Sequence, residues 1–306
     1  MFNIMDILTD SSFYATIIRV STPLIFASMG ALIATLAGTP NIALEGIMLL
    51  SAFSGAVVSA LCQSLFMGVI AGLLSALLLS VILCVFALKY KANIILTAIG
   101  INILSSGLTA FLLSAVSGQK GNTTSFQSAV FPQIHFNFID KIPIIGEILN
   151  NQNILTFFAY GCVIGLYLLI KKTPFGVHLR AVGENPEAAI SVGLSVNKIK
   201  SIALILSGLL SGMGGMFLSM GYISWFTRDM TAGRGWIALA AQALGGKSVV
   251  GVTLSSLLFS TGESLSYSLQ IYNIPNELVQ SVPFIITIIV LLVYLNISEN
   301  RKTFFN

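Results

Sequence analysis

Leu73-Leu74-Ser75-Ala76-Leu77-Leu78-Leu79 lies inside a run, residues 46–88, that contains no Asp, Glu, Lys or Arg. Only helices and closed barrels cross a bilayer, because both satisfy every backbone polar group internally. A barrel strand alternates polar and apolar residues over about ten positions. This block shows no such alternation, so the run reads as helix. A helix rising about 1.5 Å per residue needs roughly 20 residues to cross about 30 Å of hydrocarbon. The run is too long for one crossing, and its polar break at Gln63-Ser64 divides it into two helices.

The same ruler applies outward along the chain. Further uncharged stretches cover 20–44, 92–119, 148–170, 201–227 and 278–298. The apolar region 235–276 is interrupted by Lys247 and Glu263, and reads as a short or tilted segment near 232–246 followed by a fuller helix near 249–268. This gives about nine hydrophobic segments, within a range of eight to ten, in one transmembrane domain spanning 1–306. The predicted class is an all-α polytopic membrane protein. Composition agrees: of 306 residues 56% are hydrophobic and 8% are charged, against about 25% charged in soluble proteins. A soluble fold and intrinsic disorder are both excluded.

Lysine and arginine mark the cytoplasmic loops of such proteins. Lys89 and Lys91 follow the third helix. The connection 171–200 carries Lys171, Lys172, Arg180, Lys198 and Lys200, and the tail carries Arg301 and Lys302. These three places are consistent as cytoplasmic, which leaves loop 118–152 outside. Asp6 and Asp10 stand where a signal peptide would be basic. Residues 1–14, with Phe2, Ile4, Met5, Ile7 and Leu8, read as an interfacial helix. The net charge of +4 is spread in ones and twos, unlike a nucleic-acid-binding surface. Cys62, Cys84 and Cys162 have no metal or redox spacing and read as small buried apolar residues. Gly68/Gly72, Gly161/Gly165 and Gly208/Gly212 let helix backbones approach closely.

Three segments exceed what packing asks for. In Gly38-Thr39-Pro40-Asn41-Ile42-Ala43-Leu44-Glu45-Gly46, Thr39 is suited to cap a helix that starts at Pro40, which places Glu45 in the second turn. A carboxylate deep in the bilayer costs about 3 kcal/mol and must face protein or water. It is either a polar contact on a solute path or a structural tie between two helix ends. In 173–200, Asn185 reads as an N-cap, Pro186 as the first helical position and Glu187 as the complement of the positive helix end. Ala188, Ala189 and Ile190 continue a short helix that Gly193 ends, and a second short helix follows from Ser195 or Asn197. Such a compact helix below the membrane is shaped to dock in a groove of another protein, or else is a capped connector. In 226–241, Arg228, Asp229 and Arg234 fall on the predicted external side beside Gly233 and Gly235, in irregular backbone that borders a cavity or forms a plain loop.

No Ser/His/Asp or Cys/His constellation is present, and His135 and His178 fall in different loops. Gly245-Gly246-Lys247-Ser248 imitates the end of a phosphate loop, but Ala241 replaces its first glycine and no strand precedes it. The chain is expected to bind neither ATP nor metal and to be no enzyme. Glu45 and Glu263 are the only acids well inside the apolar map, too few for a proton relay.

Taken in order, Asn41-Ile42-Ala43-Leu44-Glu45-Gly46-Ile47-Met48, Val182-Gly183-Glu184-Asn185-Pro186-Glu187-Ala188-Ala189 and Thr231-Ala232-Gly233-Arg234-Gly235-Trp236-Ile237-Ala238-Leu239-Ala240-Ala241 resemble the permease subunits of ABC importers. The group concerned is that for branched-chain amino acids, simple sugars and nucleosides. The resemblance covers about residues 15–298 and is greatest to the shorter permease of basic-membrane-protein-type nucleoside importers. Where that family has a charged run before the Asn, this chain has the uncharged Ala34-Thr35-Leu36-Ala37-Gly38-Thr39-Pro40.

The resemblance implies a multi-pass plasma-membrane subunit that forms the pathway for a small solute. Nucleosides are the first expectation, with branched-chain amino acids or simple sugars as alternatives. It implies a heterodimer with a second permease, a cytoplasmic ATPase that binds ATP-Mg, and an external substrate-binding lipoprotein. Arg180, Gly183, Glu184, Asn185, Pro186, Glu187, Ala188 and Ala189 match the family's coupling loop. Asn41, Glu45, Asn102, Gly233 and Arg234 are the candidates for the translocation pathway. A different class, an ion-coupled secondary transporter, would show paired broken helices and intramembrane acids. A membrane-embedded enzyme would need a convergent catalytic pair.

Overall fold

The computed structural model describes residues 10–118, 121–136, 146, 148–270 and 285. The expected span 278–298 and the basic tail lie outside the described residues, apart from the helical Ile285. Ten α-helices occur among the described residues: α1 Ser11–Leu36, α2 Leu44–Cys62, α3 Leu65–Cys84, α4 Ile94–Ser117, α5 Ile154–Lys172, α6 Pro174–Glu184, α7 Pro186–Ser191, α8 Val196–Met220, α9 Arg234–Gly245 and α10 Val249–Leu269. A π-helical turn, Val85–Lys89, extends α3. Two short antiparallel strands, β1 Gln133–Ile134 and β2 Gln152–Asn153, pair Gln133 with Asn153. Six helices, α1 to α5 and α8, are long and apolar enough to cross a membrane.

The local signals explain most boundaries. Gln63 takes a left-handed φ of 52° to end α2, and Ser64 caps α3. Asn93 caps α4 by accepting the N–H groups of Ile95 and Leu96. Asp10 caps α1, and the Ser12 hydroxyl and N–H it accepts hold its carboxyl below the usual range. α1 begins at Ser11, so residues 11–14 of the expected interfacial segment continue into the first long helix, and residues 1–9 lie outside the described residues. Arg19, which bounded the uncharged stretch 20–44, is inside that helix.

Glycines set the packing of α8 at the centre of the bundle, where it meets α1, α2 and α3. A side chain on Gly215 would strike the Met48 carbonyl, and one on Gly208 the Ser80 hydroxyl. The pair Gly68/Gly72 likewise admits Ser59 and Met216, whereas Gly161/Gly165 faces no atom within 4 Å. Burial divides the spans: 78% of the apolar window of α1 is buried, but only 22% of that of α4 and 28% of that of α5. α4 and α5 therefore present their sides to lipid or to another chain. The cysteines divide too. Cys84 is buried, Cys162 half-buried and Cys62 exposed at a helix end, so the expectation of three buried apolar residues holds for Cys84 alone.

Candidate functional site

The α1–α2 link builds the first part of the site. α1 ends in a Schellman turn: Gly38 has φ +72°, its N–H donates to the Thr35 carbonyl at 3.0 Å, and the Thr39 N–H donates to the Ala34 carbonyl at 3.0 Å. The expected helix start at Pro40 is absent. Thr39 turns its hydroxyl back to the Ala34 carbonyl, and α2 starts only at Leu44, so Glu45 stands in its first turn, not its second. The uncharged run ahead of Asn41 has thus become the close of one helix and a non-helical link to the next. Asn41 is fully buried; its Nδ2 donates to the Ser207 hydroxyl at 3.0 Å at the middle of α8. Asn102 clamps the link from α4, accepting the Gly46 N–H at 2.8 Å and donating to the Ile42 carbonyl at 3.0 Å.

Glu45 then meets the third segment. Its Oε1 accepts the Gly233 N–H at 2.9 Å and its Oε2 the Gly235 N–H at 2.6 Å. These groups are among the donors that an α-helix leaves unpaired at its start, and a carboxylate there also complements the helix dipole. Gly233, at φ +83°, occupies the cap position of α9 and has no side chain to cap with. Glu45 supplies the cap from another helix. Of the two alternatives for Glu45, the tie between helix ends is the one present in the geometry.

α9 has 12 residues, about 18 Å of helix, too short to cross. Its start lies at the level of Asn102 and of Ser106, whose hydroxyl donates to Asp229 at 3.0 Å near the middle of α4. Its other end lies at the basic end of the bundle, where Lys247 stands 3.5 Å from Glu184. α9 and α10 therefore form a hairpin that turns at Gly246-Lys247, with α9 as its short arm. The phosphate-loop imitation is that turn, and Ser248 caps α10. Residues 221–233 descend to it in extended and turn conformation. They are held by the Thr123 N–H donating to the Phe226 carbonyl at 2.9 Å and the Ser128 N–H to that of Ser224 at 2.7 Å.

The two arginines of this segment differ in surroundings. Arg228 and Asp229 are exposed and paired at 3.4 Å, but Arg234 turns inward to Glu263 on α10, with only 14% and 11% of the two side chains exposed. Tyr267 joins them, accepting from Arg234 at 2.8 Å and donating to Glu263 at 3.0 Å. Glu263 and Tyr267 carry no spacing that pairs them with Arg234 in the sequence; the hairpin does that.

At the basic end, Thr173 caps α6 and Asn185 caps α7, accepting the Ala188 N–H at 3.0 Å, with Pro174 and Pro186 at the first helical positions. The Gly193 N–H closes α7 on the Ile190 carbonyl at 2.9 Å. α6 was not anticipated, although Thr173-Pro174 carries the same signature as Asn185-Pro186. The second short helix expected from Ser195 or Asn197 is the first turn of α8. Arg180 bonds within α6, while Glu184, Glu187 and Ala188 are exposed and Ala189 is buried. Gly183 sits directly on the α1 turn: a side chain there would strike the Leu36 carbonyl, and one on Gly38 would come within 3.2 Å of the Gly183 Cα.

Among proteins of known role, the chain is 33% identical over 292 residues to the nucleoside ABC transporter permease protein NupC of Lactococcus lactis, covering 92% of this chain and 91% of that one. It is 28% identical to the guanosine ABC transporter permease protein NupQ of Bacillus subtilis, with the same coverage. It is 29% identical to the putative glucose ABC transporter permease protein TsgC13 of Haloferax volcanii, over 79% of this chain and 74% of that one. A solved inward-facing conformation of a putative metal-chelate type ABC transporter shares the fold, with a TM-score of 0.52 at 17% identity over 91% of this chain and 84% of that one. The model of the branched-chain amino acid transport system permease component family matches residues 13–291. A chain with six apolar spans among its described residues, matched by that family along almost its whole length, is a multi-pass transport subunit of the plasma membrane: the chain belongs to the family of branched-chain amino acid transport system permease components, and is a permease of an ABC importer.

Proposed function

We propose that this permease conducts nucleosides. It would do so with a second permease beside it, an ATP-Mg-binding ATPase below and a substrate-binding lipoprotein outside. The observation that carries the solute is the similarity, over 92% of the chain, to relatives named for nucleosides and for guanosine. Exposure supports the partners. α6 and α7 bury Leu179, Val182 and Ala189 in the bundle while leaving Ile190 61% and Val192 76% exposed. That apolar surface, with Glu184, Asn185, Pro186, Glu187 and Ala188 around it, is the ATPase-docking face. The poorly buried sides of α4 and α5 are available to the second permease.

Movement would pass by contact from α6 to the solute path. Gly183 bears on the turn at Gly38, the link carries it to Asn41 and Glu45, and Glu45 holds the start of α9. The Lys247–Glu184 pair is solvent-exposed and contributes little energy; the glycine contact is the stiff element. ATP-driven closure would act by shifting the balance between two arrangements of these parts. Uptake of radiolabelled nucleosides by a deletion strain, with and without the restored gene, tests the reading. Restored uptake of inosine or uridine is expected. Restored uptake only of glucose or of leucine would replace the solute, and accumulation by the purified chain alone in vesicles would replace the mechanism.

A further inference from the structure

A cavity of about 200 Å³ lies between α1, α8, α9 and α10, bordered by Arg19, Pro23, Phe217, Tyr222, Arg234 and Tyr267. It is partly open. The hydrogen-bonding capacity of nearly all its polar side chains is already used. Arg234 is committed to Glu263 and Tyr267. The Tyr222 hydroxyl donates to Gln152 at 2.8 Å and accepts the Asn153 N–H at 3.1 Å, which fixes its ring as a rigid plate. Arg19 lies over that plate, its guanidinium carbon 4.1 Å from the ring centroid. The Arg19 Nε is buried and has no hydrogen-bond partner. That Nε is hidden from the cavity, and a ligand there meets the guanidinium through its terminal N–H groups.

The ligand chemistry follows. Three aromatic side chains and a proline favour a flat, apolar face. An apolar cavity of about 150 Å³ accepts benzene, so this one accommodates a single fused ring with any sugar left in the opening. A guanidinium has five donors and no acceptor, so it favours an edge of adjacent acceptors, such as the carbonyl oxygen and ring nitrogen of hypoxanthine or guanine, over the adenine edge, where an amino donor replaces the oxygen. Arg234 is neutralised by Glu263, which leaves one net positive charge against aromatic walls, a poor setting for a phosphate. We propose that this cavity is a subsite for an oxo-substituted heteroaromatic ring, such as the base of inosine, guanosine or uridine, with Arg19 donating to the ring oxygen. This rests on the nucleoside reading above.

The test compares initial uptake of inosine and adenosine in cells carrying the complete transporter, wild type against Arg19→Met, at matched membrane abundance. Methionine keeps an apolar stem beside Tyr222 and removes the donors. The binding protein is the same in both strains, so its own preference cancels. The inosine-to-adenosine ratio is expected to fall about tenfold in the variant, the worth of one charge-assisted hydrogen bond. An unchanged ratio overturns the subsite, and so does an unchanged ratio accompanied by loss of a copurifying phospholipid, which would identify the occupant as lipid. Wild-type cells that take up no nucleoside overturn the nucleoside reading itself, and the subsite with it. If Arg19→Met fails to reach the membrane, Val20→Phe fills the cavity with Arg19 intact. Uptake of both nucleosides should then fall about tenfold, and undiminished uptake would refute the site.

Discussion

Glu45 holds Gly235 by its backbone: the carboxylate accepts the glycine N–H at 2.6 Å, and a Cβ on that glycine would lie 2.6 Å from the Glu45 Cα. One residue thus caps a half-helix across the bundle, and the other is small enough to let it. The contact brings α2 and α9 together with the Gly235 backbone buried between them.

Glu45→Gln tests the cap. The amide keeps one acceptor but turns an N–H₂ group toward a backbone donor. Hydrogen bonds to a charged group contribute about 1.5–3 kcal/mol each, and a loss of this order should appear as a lowered Tm of the detergent-solubilised complex. An unchanged Tm would mean that Glu45 does not hold α9.

Gly235 and Gly233 should differ in their tolerance, for different physical reasons. Gly235→Ala places a methyl group against the Glu45 backbone, which has no rotamer by which to retreat, and overpacking of this kind costs about 1–3 kcal/mol. It also pushes Glu45 off its two N–H partners. Gly233→Ala meets no atom within 4 Å and suffers only its left-handed φ of +83°, roughly 1–2 kcal/mol. Melting curves and uptake should both rank Gly235→Ala as the more damaging; the reverse order would contradict the packing described.

Much of this was legible in the sequence, and the rest for definite reasons was not. The helix break at Gln63-Ser64, the cap at Asn185 and the short segment before Lys247 are local, and local chemistry reads them. The start of α2 was misread because Thr39-Pro40 is a valid cap signature. Gly38 had already committed the chain to a Schellman turn, and Asn102 from α4 holds the link open. The partner of Arg234 was not legible because charge spacing measures distance along the chain, while its inward turn is set by Glu263 on the returning arm of a hairpin. Gly183 against Gly38 leaves no local trace at all, since two glycines at a close approach look like any other two.

That contact gives the coupling prediction. Gly183→Val should force α6 off the Leu36 carbonyl and shift the docking face. The protein should still insert, but copurification of the ATPase, or the ATP dependence of uptake, should be lost. Removing the α7 cap with Asn185→Ala and the exposed carboxylates with Glu184→Ala and Glu187→Ala together should weaken ATPase copurification by the other route, through the cap and the exposed face. Normal complex formation and normal uptake in both variants would refute the docking role of α6 and α7.

The Arg234–Glu263 pair yields a sharper energetic test, because a second change should restore most of the stability that the first one removes. Removing one partner of a buried pair costs about 3–5 kcal/mol, since the other charge is left without compensation, whereas replacing both with apolar residues is often neutral. Arg234→Leu alone strands Glu263, whose Oε2 already lacks a hydrogen-bond partner, and should lower the Tm sharply. Arg234→Leu with Glu263→Leu should recover most of the loss. If the double variant is as stable as wild type yet transports poorly, the pair serves the solute path beyond holding α9 to α10. If the double variant is no more stable than the single one, the two side chains do not act as a pair, and α9 is held by the Glu45 cap alone.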